Sequence, residues 1–120
     1  MRNEIEKAMI AIESGEDTAH GRFIFTPEMQ AFKGHFPGRP LLPGVMQIEM
    51  VRATAEKAFG KNYEISSIRK ARFTGECLPG DEITVSVTLE AGGDGIRIRG
   101  LIKSRDETCA DIRLLLKKKG

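Results

Sequence analysis

Two hydrophobic periods divide this chain. Residues 44–59, GVMQIEMVRATAEKAF, place Val45, Ile48, Val51, Ala55 and Phe59 every three or four positions, the spacing of a helix, with Pro43 before it and Gly60 as a stop signal. Met46, Met50, Ala53 and Ala58 widen the apolar stripe so far that most of this helix must be covered. From position 63 onward the period becomes two. Ile65, Ser67, Arg69, Ala71 and Phe73 alternate with their neighbours, then Ile83, Val85, Val87 and Leu89, then Ile96 and Ile98, and last the stretch ETCADIRLLL. The intervening LPGD, GGDG and RDE segments have turn chemistry. Consecutive strands joined by short turns predict an antiparallel meander, and a helix so widely apolar is hidden only if the sheet curls around it. The expected fold class is α+β, an antiparallel sheet wrapped around one long central helix.

The first quarter is less decided. Residues 9–25, MIAIESGEDTAHGRFIF, carry two apolar stretches around a polar, Gly-containing turn, which predicts a hairpin. Ile5, Met9 and Ile12 also sit at helical spacing, so residues 3–12 have a helical alternative; we take the strand. Residues 27–43 hold four of the five prolines together with Gly34 and Gly38. Proline fixes φ and removes a donor, so this segment is expected to be a loop of defined shape, the kind that carries sites.

At 120 residues the chain fits one domain, 1–120, with a modest core, and association is expected. Hydrophobic residues at 40% and charged residues at 30% exclude a disordered or fibrous chain. A net charge of +2 does not point to nucleic acid, and with Trp absent and Tyr63 alone there is no row of stacking platforms for single strands. No apolar run approaches the roughly 20 residues of a membrane span, and residues 8–12 follow Glu4 and Glu6 rather than a basic leader, so no membrane and a cytoplasmic setting are expected. Cys77 and Cys109 lie 32 positions apart without a CxxC pair or nearby His, which favours two reduced, half-buried thiols over a disulfide or a metal site. Lys117, Lys118 and Lys119 form a solvated end.

Three positions carry candidate chemistry. His35 stands in GHFPGRPLLPG, in stiff, apolar surroundings where a neutral imidazole can act as a general base; a histidine that merely bonds a turn is the alternative. His20, between Ala19 and Gly21, has no evident partner and receives no role. Glu49 lies inside the apolar part of the helix, with Val45 one turn before and Ala53 one turn after. A carboxyl group there must be paired or protonated, and a protonated one serves as a general acid; an intrahelical pair with Arg52 is the alternative. Gly44 leaves the first helical amide unshielded, a donor for an oxygen that gains negative charge, although a small residue at a helix start is by itself ordinary. Base, acid and oxyanion donor together suit elimination of water from a β-hydroxy carbonyl compound, a reaction that needs no metal or organic cofactor.

The segment GHFPGRPLLPGVMQIEM resembles the signature of the bacterial 3-hydroxyacyl-[acyl-carrier-protein] dehydratases of fatty-acid synthesis, which have the hotdog fold. The 14-position interval between His35 and Glu49 inside an HFPGxPxxPG frame carries the likeness, and IRKARFTGECLPGD at 68–81 extends it weakly. The resemblance implies that His35 is the catalytic histidine and Glu49 the catalytic acid. It likewise implies that the Gly44 amide holds the thioester carbonyl and that Phe36, Pro43 and Val45 lie against the substrate. Glu rather than Asp at position 49 is similar to the branch that only dehydrates.

The resemblance further implies an acyl carrier protein as partner and a homodimer or trimer of dimers, with histidine and acid of one site drawn from different subunits. A non-catalytic acyl-binding protein and, further off, a thioesterase are the rival functions. Departures from the family pattern point to a specialised pathway: Ala53 stands where the family commonly has Gln, with Arg52 beside it; the N-terminal Leu-Pro-His-Arg element is missing; Glu76 replaces a proline. For the acidic carrier, Arg39, Arg69, Lys70 and Arg72 are candidate contacts, and alternation is expected to point Arg69 to one face and Lys70 and Arg72 to the other.

Overall fold

The computed structural model describes residues 2–26, 42–78, 80–90 and 95–119. The elements run α1 (Arg2–Ala8), β1 (Met9–Ser14), β2 (Thr18–Ile24), α2 (Gly44–Phe59), β3 (Tyr63–Phe73), β4 (Glu82–Glu90), β5 (Ile96–Ser104) and β6 (Glu107–Lys118). The strands form one six-stranded antiparallel sheet in the order β1-β2-β4-β5-β6-β3, and α2 packs against it. This is the hotdog fold, as expected. None of the described helices is long and apolar enough to cross a membrane.

The long helix begins and ends where its sequence signals say. Gly60 caps α2 in the left-handed region at φ 67°, and its amide bonds the Glu56 carbonyl at 3.1 Å. The buried face differs from the predicted stripe. Met46, Met50, Val51, Ala53, Thr54 and Ala55 are buried, whereas Val45, in the first turn, is 56% exposed. Thr54 is tolerated there because its hydroxyl donates to the Met50 carbonyl at 2.8 Å.

The meander holds for β4, β5 and β6, but β3 is not part of it: the chain leaves β3 at one edge of the sheet and crosses to β4, so that β3 pairs with β6. The edge position also explains why the alternation in β3 is not matched by burial, since only Tyr63 of this strand is buried. Two bulges, between Ile65 and Ser67 and between Ile68 and Lys70, shift its register. Arg69 lies in the second bulge, and it borders the same groove as Lys70 instead of facing away from it.

At the N-terminus both sequence patterns are used in succession. α1 takes residues 2–8, with Ile5 and Ala8 buried, and the strand begins only at Met9. His20, expected to be unpartnered, faces Ser86 across the β2–β4 ladder, with Nδ1 and Oγ 3.0 Å apart. Arg105 and Asp106, both left-handed at φ 53° and 64°, form the two-residue turn between β5 and β6. Arg105 is held by Asp81, which accepts from its Nε at 3.1 Å and Nη2 at 2.9 Å. Cys77 and Cys109 are free thiols, as expected, but fully buried, and burial together with the neighbouring Cys109 pushes the Cys77 thiol up.

Two glycines set how closely helix and sheet approach. A Cβ on Gly100 of β5 would lie 2.6 Å from two methyl carbons of Val51, and one on Gly21 of β2 would lie 3.0 Å from the Thr54 hydroxyl. Gly100→Ala is therefore expected to destabilise the protein by roughly 1–3 kcal/mol through overpacking. Urea denaturation checks this, and Val51→Ala should cost less in the Gly100→Ala background than in the wild type.

On the outer face, Arg99 donates to Asp111 from Nε at 3.2 Å and from Nη2 at 2.9 Å. These bonds hold the Asp111 carboxyl below its ordinary value against the opposing effect of burial, with Lys70 and Arg113 adding attraction. A depressed carboxylate stabilises the fold above its unfolded value, about pH 4, and loses that contribution as pH falls through the folded one. Asp111→Asn should lower stability at neutral pH and lessen the further loss on acidification below about pH 4, measured by thermal unfolding across pH.

Candidate active site

The start of α2 is a fixed point. Pro43 occupies the N-cap at φ −63°, ψ 152°, and its carbonyl accepts from the amides of Met46 at 3.1 Å and Gln47 at 3.2 Å. The Leu42 amide donates to the Cys77 carbonyl at 2.9 Å, and the Leu42 carbonyl accepts from Gln47 Nε2 at 3.2 Å. On the other side, the Gly80 amide donates to the Phe25 carbonyl at 2.8 Å. The chain on both sides of residues 27–41 is thus tied to one connection, the one between β3 and β4.

Gly44 is half-buried beneath Phe73, the last residue of β3. A Cβ at position 44 would lie 2.9 Å from the tip of that ring, so only glycine leaves the ring in place. As the first residue of the helix, Gly44 has an amide with no acceptor in its own helix, and the helix dipole is positive there. Pro43 is half-buried beside it and Val45 exposed. His35, Phe36 and Arg39 lie outside the described residues.

Glu49 lies near the middle of α2 with its side chain 18% exposed. It pairs with Arg52, whose Nε is 2.5 Å from Glu49 Oε2. Arg52 is itself only 3% exposed, and its Nη1 also donates to Glu56 Oε2 at 2.8 Å and to the Tyr63 carbonyl at 3.3 Å. Glu56 in turn accepts from the Tyr63 amide at 2.9 Å. One guanidinium therefore joins two carboxylates, one a turn before it and one a turn after it on the helix, and is anchored to the first residue of β3. Arg52 bonds Glu49, whereas Ala53, the position where the resembled family commonly has Gln, is buried and offers Glu49 no hydrogen bond.

This arrangement leaves Glu49 Oε1 without a hydrogen bond among the described residues. The ion pair with Arg52, the alternative that the sequence offers for Glu49, is present in the structure. Sequence reasoning missed two contributors: Gln47, which clamps Leu42 to the first turn of the helix, and Glu56, which completes the cluster. The spacing of Glu56 four residues after Arg52 was the available signal.

Comparison with known proteins extends over nearly the whole of this architecture. The ApeI-like family model, described as ApeI dehydratase, matches residues 11–112. The 3-hydroxyacyl-[acyl-carrier-protein] dehydratase FabZ of Klebsiella pneumoniae subsp. pneumoniae is 40% identical over 80 residues, 58% of this chain and 53% of that protein. FabZ of Salmonella arizonae gives the same values, so the chain spans about half the length of these curated relatives. Among solved structures, the dehydratase heterocomplex ApeI:P from Xenorhabdus doucetiae superposes with a TM-score of 0.79 at 25% identity, over 91% of this chain and 96% of that one. The E. coli PaaI protein of the phenylacetic acid degradation operon, at 17% identity and a TM-score of 0.69 over 92% and 79% of the two chains, shares the fold. The central helix with Gly44 and Glu49, most of the sheet and the strand crossing that anchors the helix start fall within the matched stretch, and the chain belongs to the ApeI-like dehydratase family.

Proposed function

We propose that this protein removes water from a 3-hydroxyacyl thioester carried on an acyl carrier protein, giving the trans-2-enoyl thioester. The observation that carries this reading is the placement on one helix of an unshielded N-terminal amide at Gly44 and a half-buried carboxyl group, Glu49, whose Oε2 is engaged by Arg52 and whose Oε1 is not. The thioester oxygen accepts from the Gly44 amide, which stabilises the charge that develops there. His35 takes the Cα proton and the Cα–Cβ double bond forms. The Cβ–O bond breaks as the Glu49 proton passes to the departing hydroxyl, which leaves as water. The cycle closes when the imidazolium releases its proton and Glu49 regains one. Val45, exposed beside Gly44, and Phe36 and Pro43 are proposed to border the acyl group.

The FabZ relatives, named for 3-hydroxyacyl-[acyl-carrier-protein] dehydration, and the solved dehydratase heterocomplex support this chemistry. The departures from the dehydratase pattern, with Ala53 in place of the family Gln and the Arg52 cluster beside it, favour a specialised lipid or polyketide pathway. His35→Ala and Glu49→Gln should each lower dehydration of a short 3-hydroxyacyl thioester by at least about 100-fold with unchanged circular dichroism. Ordinary rates in either variant overturn the assignment. No turnover by the wild type would favour an acyl-binding protein, and release of free thiol a thioesterase.

The same reading requires more than one subunit. β3 is an eleven-residue strand at the edge of the sheet, with Ile68 52% and Phe73 45% exposed. Among the described residues the outer side of β3 has no partner strand, and an open edge that exposes apolar side chains is a template for strand addition. Pairing of two copies along β3 would cover both residues and bring the second copy beside the Phe73–Gly44 contact, where the partner's histidine is needed. Light scattering at micromolar concentration should give a mass of two chains or a multiple of two, and an active single chain would refute the assembly.

A further inference from the structure

The outer face of the sheet, opposite α2, carries a row of cations that the fold alone does not explain. Ile98 and Ile102 of β5 and Ile112, Leu114 and Leu116 of β6 are buried on the helix side, and Gly100 meets Val51 there. Strand alternation therefore turns Arg97, Arg99 and Arg113 outward. The register sets Arg113 directly opposite Arg99 on one side and Lys70 on the other. Like charges in directly opposed cross-strand positions are destabilising. Asp111 neutralises Arg99 with two hydrogen bonds, and Lys70 and Arg113 are left with none from it. The bulge at Arg69 adds a further cation to the same place.

These side chains enclose a space. Arg69, Lys70, Arg97 and Arg113, with Glu90 as the single anion among the described residues, line a groove of about 420 Å³. The Nε atoms of Arg97 and Arg113 are both buried and have no hydrogen-bond partner among the described residues. A buried N–H without an acceptor is costly, and here two of them sit in a groove of four cations. A ligand with several closely spaced acceptor oxygens and multiple negative charge would relieve both penalties at once, because guanidinium forks match the geometry of phosphate.

We propose that this groove is a binding site for a phosphate or pyrophosphate group, separate from the site at the start of α2. The concave shape and the buried N–H groups favour a small tetrahedral anion over the broad acidic face of a carrier protein. Because the cations are held at an electrostatic cost, their removal should stabilise the empty protein while abolishing binding, the trade-off seen where a site is built against stability.

Inorganic pyrophosphate titrated into the intact protein by calorimetry, at constant ionic strength set with chloride, tests this. Saturable binding is expected, with a rise in Tm beyond that given by chloride. Arg97→Gln/Arg113→Gln should bind at least tenfold more weakly and, without ligand at low salt, unfold at a temperature no lower than the wild type. Lys70→Gln, a milder change at the edge strand, should weaken binding in the same direction. Absence of saturable binding at millimolar pyrophosphate, affinity unchanged in the variants, or a lower Tm of the empty double variant would each overturn the proposal. So would an acidic carrier protein that binds through Arg113 where pyrophosphate does not.

Discussion

The burial of one helix by one sheet is the constraint on which the rest depends. Most of α2 is buried or half-buried, and the helix lies close against the sheet that covers it. Gly100 and Gly21 permit that closeness, one beneath Val51 and the other beneath Thr54. The start of the helix is fixed by the same packing: the Phe73 ring sits over Gly44, and the Leu42 amide reaches the Cys77 carbonyl. A donor amide and a carboxyl group on one rigid helix hold their separation without help from loops, which is what preorganised electrostatic stabilisation demands.

Inside that packing the protein places a guanidinium, and only its partners make this tolerable. Arg52 is almost fully enclosed and reaches Glu49, Glu56 and the Tyr63 carbonyl, so that its charge is met on several sides. The same contacts engage one oxygen of Glu49 and leave the other without a hydrogen bond among the described residues. A side-chain amide four residues on would orient the acid without adding charge. The Arg52 cluster does so with charge and ties the acid to the first residue of β3, linking the helix to the edge strand.

The two faces and the edge of the sheet therefore have separate tasks. The helix side is apolar and closely packed, the outer side carries the cation row around Arg113, and the β3 edge is long and open. The bulge between Ile68 and Lys70 belongs to both of the latter, since it shifts the edge register and turns Arg69 into the groove.

The sequence by itself determined the elements whose cause is local. The 3.6-residue period and the Pro43 and Gly60 signals bound α2, and the two-residue period marked β4, β5 and β6, because helix and strand impose those periods on any buried face. The candidate acid and donor were legible for a similar reason: a carboxyl group within an apolar stripe and a glycine at a helix start are anomalies in a one-dimensional pattern. What required the tertiary structure was everything set by distant partners. β3 has the composition of a meander strand, yet it pairs with β6 at the far edge, because strand order depends on which edge is free once β2 has taken β4. Residues 2–12 satisfied both periods, and packing of Ile5 and Ala8 decided for a helix followed by a strand. Whether Arg52 opposed or supported Glu49 turned on Glu56 and Tyr63, which fold back to share it. The common groove of Arg69 and Lys70 came from a bulge, and a bulge depends on the ladder of the neighbouring strand, which no period along a single chain encodes.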